Sequence, residues 1–304
     1  MTPPRAVIVG LAGPELAAAE RRLLEVARPL GVILFKRNVE SPAQLRRLTA
    51  AVRDALGETA PVLVDQEGGR VQRLGPPHWP AHPPARRIGE LAERDRDAGE
   101  AAAYDLARRI ALDLREVGID WVCAPLLDLA LPETHAAIGD RAFAADPALV
   151  AALGRAAVAG FLAGGVVPIV KHAPGHGRAR VDPHLDLPTV DAPHAVLADA
   201  DFRPFRALAD APAAMTAHVV YNALDPERPA SCSPRVIDEV VRRELGLASL
   251  LISDDVDMGA LDGSVSARVA AVLAAGNDLA LQCNGGRADL EAALAAAPRL
   301  AAAA

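Results

Sequence analysis

The feature that most constrains this chain is a rhythm of eight short apolar, β-branched runs alternating with longer amphipathic segments of Ala, Leu, Arg and Glu. The runs predict strands over Ala6–Leu11, Gly31–Phe35, Pro61–Val64, Ile119–Ala124, Val166–Val170, Ala213–Ala217, Ser249–Ser253 and Asp278–Gln282. The segments between them carry helical spacing over Pro14–Ala27, Pro42–Leu56, Asp97–Val117, Pro147–Ala163, Ala195–Ala209, Ser233–Leu245 and Val265–Ala275, and the tail Ala292–Ala304 reads as a helix or frayed end. A strand that returns parallel to its neighbour needs such a crossover, so repeated βα units predict a parallel sheet. For 304 residues without a linker, this gives an α/β fold, a (β/α)8 TIM barrel, with residues 1–304 as one catalytic domain. A doubly wound open sheet is the alternative. No GxGxxG follows the first run, which weighs against dinucleotide binding.

Aromatic residues make up only 3% of the chain, so the core must be built from Ala, Val, Leu and Ile. The net charge of −7, without runs of like charge, argues against a nucleic-acid or anionic-membrane partner. Cys123, Cys232 and Cys283 are odd in number and widely spaced, which predicts a reducing compartment rather than a disulfide framework. No apolar stretch reaches the roughly 20 residues that span a bilayer. Arg5 before Ala6–Ala12 imitates a short signal peptide, but Glu15, Glu20, Arg21 and Arg22 follow at once, and the run reads as a first strand.

Two stretches break the rhythm. Leu74–Arg87 is rich in Pro and His and reads as a surface loop. Gly175–Val190 is polar and holds Arg178, Arg180, Asp182, His184 and Asp186; long loops in compact barrels are usually functional.

Polar groups gather just after the runs: Asp65 and Glu67 after the third, Asp128 and Arg141 after the fourth, and Lys171, His172 and His176 after the fifth. His218 and Tyr221 follow the sixth run, and Asp254, Asp255 and Asp257 the seventh. A single strand-end Asp is most often a helix cap. Five polar strand ends on one face of a barrel mark an active site. In Asp65-Gln66-Glu67-Gly68-Gly69-Arg70-Val71-Gln72-Arg73, the glycines let backbone approach a ligand, a carboxylate accepts sugar hydroxyls, and a guanidinium donates in a fixed fork. An internal salt-bridged turn is the blander reading. Lys171-His172 puts a charge at the end of a buried strand, which is costly unless it is paired or faces a cleft. Asp182 and His184 form a carboxylate–imidazole pair able to give and take a proton. His172, His176, Asp182 and His184 also leave a zinc site open, though their spacing matches no common zinc signature and Lys171 would repel the ion. Asp254 in Ser253-Asp254-Asp255 has the chemistry of a glycosidase nucleophile, with a helix cap or a Mg²⁺ ligand as alternatives.

Taken together, these motifs resemble the bacterial β-N-acetylglucosaminidases of glycoside hydrolase family 3, the NagZ type. The resemblance runs through Gly31-Val32-Ile33-Leu34-Phe35-Lys36-Arg37-Asn38, DQEGGRVQR, Ala124-Pro125-Leu126-Leu127-Asp128, Ile138-Gly139-Asp140-Arg141, KHxPGHG, Ala217-His218-Val219-Val220-Tyr221, and SDD before Met258. It implies Asp254 as nucleophile, His184 as acid/base, and Asp182 as the group that holds and tunes His184. Asp65, Arg73, Arg141, Lys171 and His172 would bind N-acetylglucosamine. The implied substrate is a terminal β-GlcNAc on 1,6-anhydro-N-acetylmuramic acid, with or without peptide, cleaved with retention by a cytoplasmic monomer in peptidoglycan recycling. No cofactor and no metal is implied. The Gly175–Val190 loop would close over substrate to bring His184 to the bond. Ala173 stands where the family usually has Phe, which reads as the loss of an aromatic wall near the site, and Pro183 stiffens the dyad. The nearest rivals are a family 3 phosphorylase and a β-glucosidase-like hydrolase. A silent sugar-binding barrel and a metal-dependent hydrolase are more distant.

Overall fold

The computed structural model describes residues 2–183 and 186–300. Eight strands close into a barrel: β1 (Arg5–Gly10), β2 (Pro29–Leu34), β3 (Val62–Val64), β4 (Trp121–Val122), β5 (Val167–Ala173), β6 (Ala213–Thr216), β7 (Leu250–Asp255) and β8 (Leu279–Gln282). Each pairs in parallel with its neighbours in sequence, and β8 closes on β1 through Val7↔Ala280 and Ile8↔Leu281. The expected (β/α)8 barrel is therefore formed. β4 is much shorter than the apolar run that contains it, although Cys123 N still donates to Val64 O beyond its end.

Alternation along each strand sorts the core into two shells. Ile8, Ile33, Leu63, Cys123, Ile169, Met215, Ile252 and Leu281 fill the barrel interior. Their neighbours Val7, Val9, Val32, Val64, Val122, Val170 and Leu251 face outward and meet the helices. The outer layer includes Ala18–Ala27, Pro42–Leu56, Arg96–Glu116, Pro147–Ala163 and Val265–Ala274. Local chemistry starts several of these helices. Ser41 and Gln44 form a capping box with Pro42 in the first turn, and Asp146 and Ser264 accept from Ala148 N and Ala267 N.

Three segments depart from the sequence reading. Ala85–Ala92 is helical although Leu74–Arg87 reads as a loop. Pro84 ends the extended run at its start, and Ile88 and Ala92 bury one face. The single helix expected over Ala195–Ala209 is two, His194–Asp199 and Phe202–Ala207, since Ala200 leaves helical geometry. The tail helix begins earlier than expected, at Arg287. Among the described residues, no helix is long and apolar enough to cross a membrane.

Candidate active site

Because all eight strands run the same way, their C-terminal ends share one mouth, and the side chains there reach a single cavity of about 350 Å³. Its floor is the top of the barrel interior, with Ile33, Met215, Leu281 and Cys283. Its walls carry Phe35, Asp65, Arg70, Arg73, Arg141, Lys171, His172, His176, Asp182, Asp254, Asp255 and Met258.

The first wall is built on β3. Gln66–Gly68 pairs antiparallel with Val71–Gln72 in a hairpin. Gly68 has φ +96°, and a Cβ there would lie 2.3 Å from Pro83 O, so only glycine fits. The buried Gln66 side chain accepts from Arg73 N and Leu74 N and donates to Leu74 O. This locked turn sends Asp65, Glu67 and Arg73 toward the fifth strand. Lys171 Nζ sits 3.0 Å from Asp65 Oδ1 and 2.6 Å from Glu67 Oε1. Arg73 takes the other Asp65 oxygen at 2.9 Å and lies over the Phe35 ring. Arg141 grips Glu67 with both Nε and a terminal nitrogen at 2.8 Å. Two carboxylates thus face three cations, leaving one positive charge in excess. Burial alone would raise the Asp65 carboxyl, but Lys171 and Arg73 overcome it and hold it well below the usual range. Glu67 is lowered against the same burial by Lys171 and Arg141.

The second wall is the KHAPGHG turn at the end of β5. Gly177 lies against Leu129, where a Cβ would meet the carbonyl oxygen at 2.4 Å. Tyr221 donates its hydroxyl to Gly175 O at 2.7 Å, and Thr134 donates to Gly177 O at 2.6 Å. His218 does not line the cavity: its Nε2 lies 3.0 Å from Asp255 O and its Nδ1 2.6 Å from Ser231 Oγ, so it braces the end of β7 from behind. Ala173 is fully buried in the outer core and is absent from the cavity wall. The missing aromatic ring is a matter of packing between strand and helix rather than of the pocket wall.

The third wall is the end of β7. Asp254 Oδ1 accepts from Asp255 N at 2.8 Å. Burial works against its ionisation, but His172, His218 and that N–H bring the carboxyl below its ordinary value, so Asp254 is a carboxylate at neutral pH. Asp255, also on the wall, is pushed the other way by burial, to about 7, although Asp257 N and Cys283 N donate to it. Adjacent acids are thus shifted in opposite directions, a common device of acid–base sites. The Gly175–Val190 segment reaches the cavity through His176, Asp182 and Pro183, and Pro183 O accepts from Ala260 N at 3.1 Å, beside the β7 end. His184 lies outside the described residues.

Asp65, Arg73, Arg141, Lys171, His172, Asp182 and Asp254 therefore line one cavity. The sequence reading placed Glu67 and Asp128 among the polar strand ends but gave neither a role. Glu67 carried a signal, since it alternates with Asp65 in the same motif. Asp128 carried little, as its role depends on which residues of the neighbouring strand end it meets.

With this geometry in hand, the chain can be compared with known proteins. Residues 7–301 match the glycosyl hydrolase family 3 N-terminal domain. The chain belongs to glycosyl hydrolase family 3. It is a glycoside hydrolase, and proteins named β-hexosaminidase are similar to it. That of Stenotrophomonas maltophilia is 43% identical over 284 residues, covering 91% of this chain and 83% of the relative. NagZ from Neisseria gonorrhoeae, solved in complex with N-trifluoroacetyl-D-glucosamine, superposes with a TM-score of 0.88 at 34% identity, covering 95% of this chain and 84% of that one. A family 3 β-N-acetylglucosaminidase from a Paenibacillus species gives the same TM-score at 34% identity; 96% of this chain is covered, but only 56% of that longer one.

The buried groups make stability depend on pH. Burial and the neighbouring His172 lower His176 from 6.5 to about 4, so the unfolded chain takes up that proton first. Its contribution is complete above pH 6.5 and is lost as pH falls toward 4. Asp128, lowered from 3.8 to about 2, adds a second loss between those values. Each group contributes a slope of at most about 1.4 kcal/mol per pH unit. Urea unfolding across pH 8 to 3 is expected to show the first slope in wild type and a flatter curve between pH 6.5 and 4 in His176→Gln. An unchanged slope in that variant would assign the loss to other groups.

Proposed function

We propose that the protein is a retaining exo-β-N-acetylglucosaminidase. The observation that carries this reading is an ionised Asp254 in the same cavity as the Asp65–Glu67–Lys171–Arg73–Arg141 network. The cavity has room for about one substituted sugar ring, and its floor is closed by the barrel core, which favours attack at a chain end. Asp65, Arg73, Arg141, Lys171 and His172 bind the sugar through its hydroxyl and acetamido groups. Asp254 attacks the anomeric carbon as the glycosidic bond breaks. His184, held by Asp182, gives its proton to the departing oxygen. The glycosyl–Asp254 ester is then cleaved by a water that His184 deprotonates, restoring both groups with the β configuration retained. The names of the similar proteins support β-N-acetylhexosamine as the substrate class. The natural substrate on this reading is GlcNAc-1,6-anhydroMurNAc, with or without peptide, cleaved by a cytoplasmic monomer during peptidoglycan recycling. The Gly175–Val190 loop closes as substrate binds.

The test is release of nitrophenol from the aryl β-N-acetylglucosaminide in phosphate-free buffer, with the first-formed anomer read by proton NMR. Release without phosphate, giving the β-anomer first, is the expected result. The α-anomer first would exclude retention. Release that requires phosphate and yields a sugar 1-phosphate would make the protein a phosphorylase. Turnover of the aryl β-glucoside alone would move the substrate to glucosides.

A further inference from the structure

Behind the cavity wall lies a second carboxylate–imidazole pair. Asp128 is fully buried and does not line the cavity. His172 Nδ1 is 2.6 Å from its Oδ2, while His172 N and His176 N donate to Oδ1 at 3.2 and 2.7 Å. Burial alone would raise this carboxyl, but His172 and its other neighbours bring it down to about 2, so it can only accept. The proton between the two side chains therefore sits on His172 Nδ1. Nδ1 is occupied, and Nε2 is the ring nitrogen left for a ligand in the cavity that His172 lines.

From this geometry we infer that Asp128 is a positioning residue that fixes His172 as the Nδ1–H form, so that the ring meets the sugar through Nε2. This rests on the glycosidase reading above, with His172 as a sugar-binding group. One oxygen of Asp128 orients the ring. The other pins the backbone at both ends of the His172–His176 turn, so one buried carboxylate sets both the ring and its mount. His176 also meets the ring, edge-on with centroids 5.6 Å apart, and among the described residues neither nitrogen of His176 has a hydrogen-bond partner.

The test is Asp128→Asn. Two backbone N–H groups require an oxygen at the Oδ1 position, so the amide NH2 must face His172 Nδ1. An amide can only donate there, and the ring proton must move to Nε2. Three results are expected: ¹⁵N NMR of the labelled imidazoles shows the His172 tautomer exchanged, kcat/KM on the aryl β-N-acetylglucosaminide falls about 10–100-fold, and adding Asp128→Asn to His172→Gln costs nothing further. An unchanged tautomer, or a full additional loss in the His172→Gln background, would reduce Asp128 to a support for the turn and overturn the inference. Should the Asn variant fail to fold, wild-type spectra decide: Nδ1–H on His172 upholds the inference and Nε2–H overturns it. Wild type that is folded but inactive on the glycoside would instead overturn the proposed activity, leaving the tautomer result to stand alone.

Discussion

Asp254→Ala is expected to lower kcat on the aryl β-N-acetylglucosaminide by on the order of 10⁴-fold or more, with the melting temperature little changed. Asp254 is half-buried at the end of β7, and its main local bond is to Asp255 N, so truncation removes the reacting oxygens without opening the core. An N–H that loses its acceptor beside a wet cavity can be met by water. The loss would lie in kcat rather than KM, since binding falls to the Lys171 and Arg141 side of the cavity. Azide offers a positive control. In Asp254→Ala it should enter the vacated space, attack the anomeric carbon from the α face and restore nitrophenol release as the α-glycosyl azide. A variant that keeps a tenth of wild-type activity, or yields only β-azide, would remove Asp254 from the nucleophile's role.

Lys171→Met is expected to be the most damaging single change to the fold among the site residues, costing about 3–5 kcal/mol in urea unfolding at neutral pH. The Lys171 side chain is only 3% exposed and Glu67 5%, so neither can turn to water when its partner is lost. Removing the ammonium leaves Asp65 with Arg73 alone and Glu67 with Arg141 alone, so each of two buried carboxylates loses a charged donor that nothing replaces. Two controls separate charge from shape. Glu67→Gln added to Lys171→Met should cost less than the sum of the single changes, because both remove the same Lys171–Glu67 contact. The gap between wild type and Lys171→Met should also narrow in acid. In wild type, Asp65 and Glu67 titrate below their ordinary values, so their contribution is complete above the ordinary carboxylate range and fades as pH falls below it. A gap independent of pH would assign the damage to packing.

Much of the site was legible in sequence because barrel strands and their ends are local. Val62–Val64 reads as buried strand from its composition, and the acids directly after it must then lie at the mouth. The same reasoning brought Lys171, His172 and Asp254 together before any distance was known. It failed where a contact joins neighbouring strand ends through residues far apart in sequence. Asp128 and His172 are 44 positions apart, and Arg141 and Glu67 are 74 apart. No periodicity joins such pairs. Ala173 misled for the opposite reason: it stands beside His172 in the chain, but its side chain packs into the outer core and not into the cavity. Ala85–Ala92 escaped notice because the two prolines before it read as loop, whereas Pro84 is the extended residue from which the helix starts.

The amino-acid order alone determined the alternation of strand and helix, and with it a parallel sheet for which the barrel was the leading arrangement, and it placed the polar residues at the strand ends. What tertiary structure decided was their state. Closure brought Lys171 between Asp65 and Glu67, buried Asp128 beneath His172, and set Asp254 and Asp255 on opposite sides of their ordinary acidity. The physical reason is that hydrophobic periodicity is a property of short segments, whereas burial and charge pairing depend on which distant segments share a low-dielectric space.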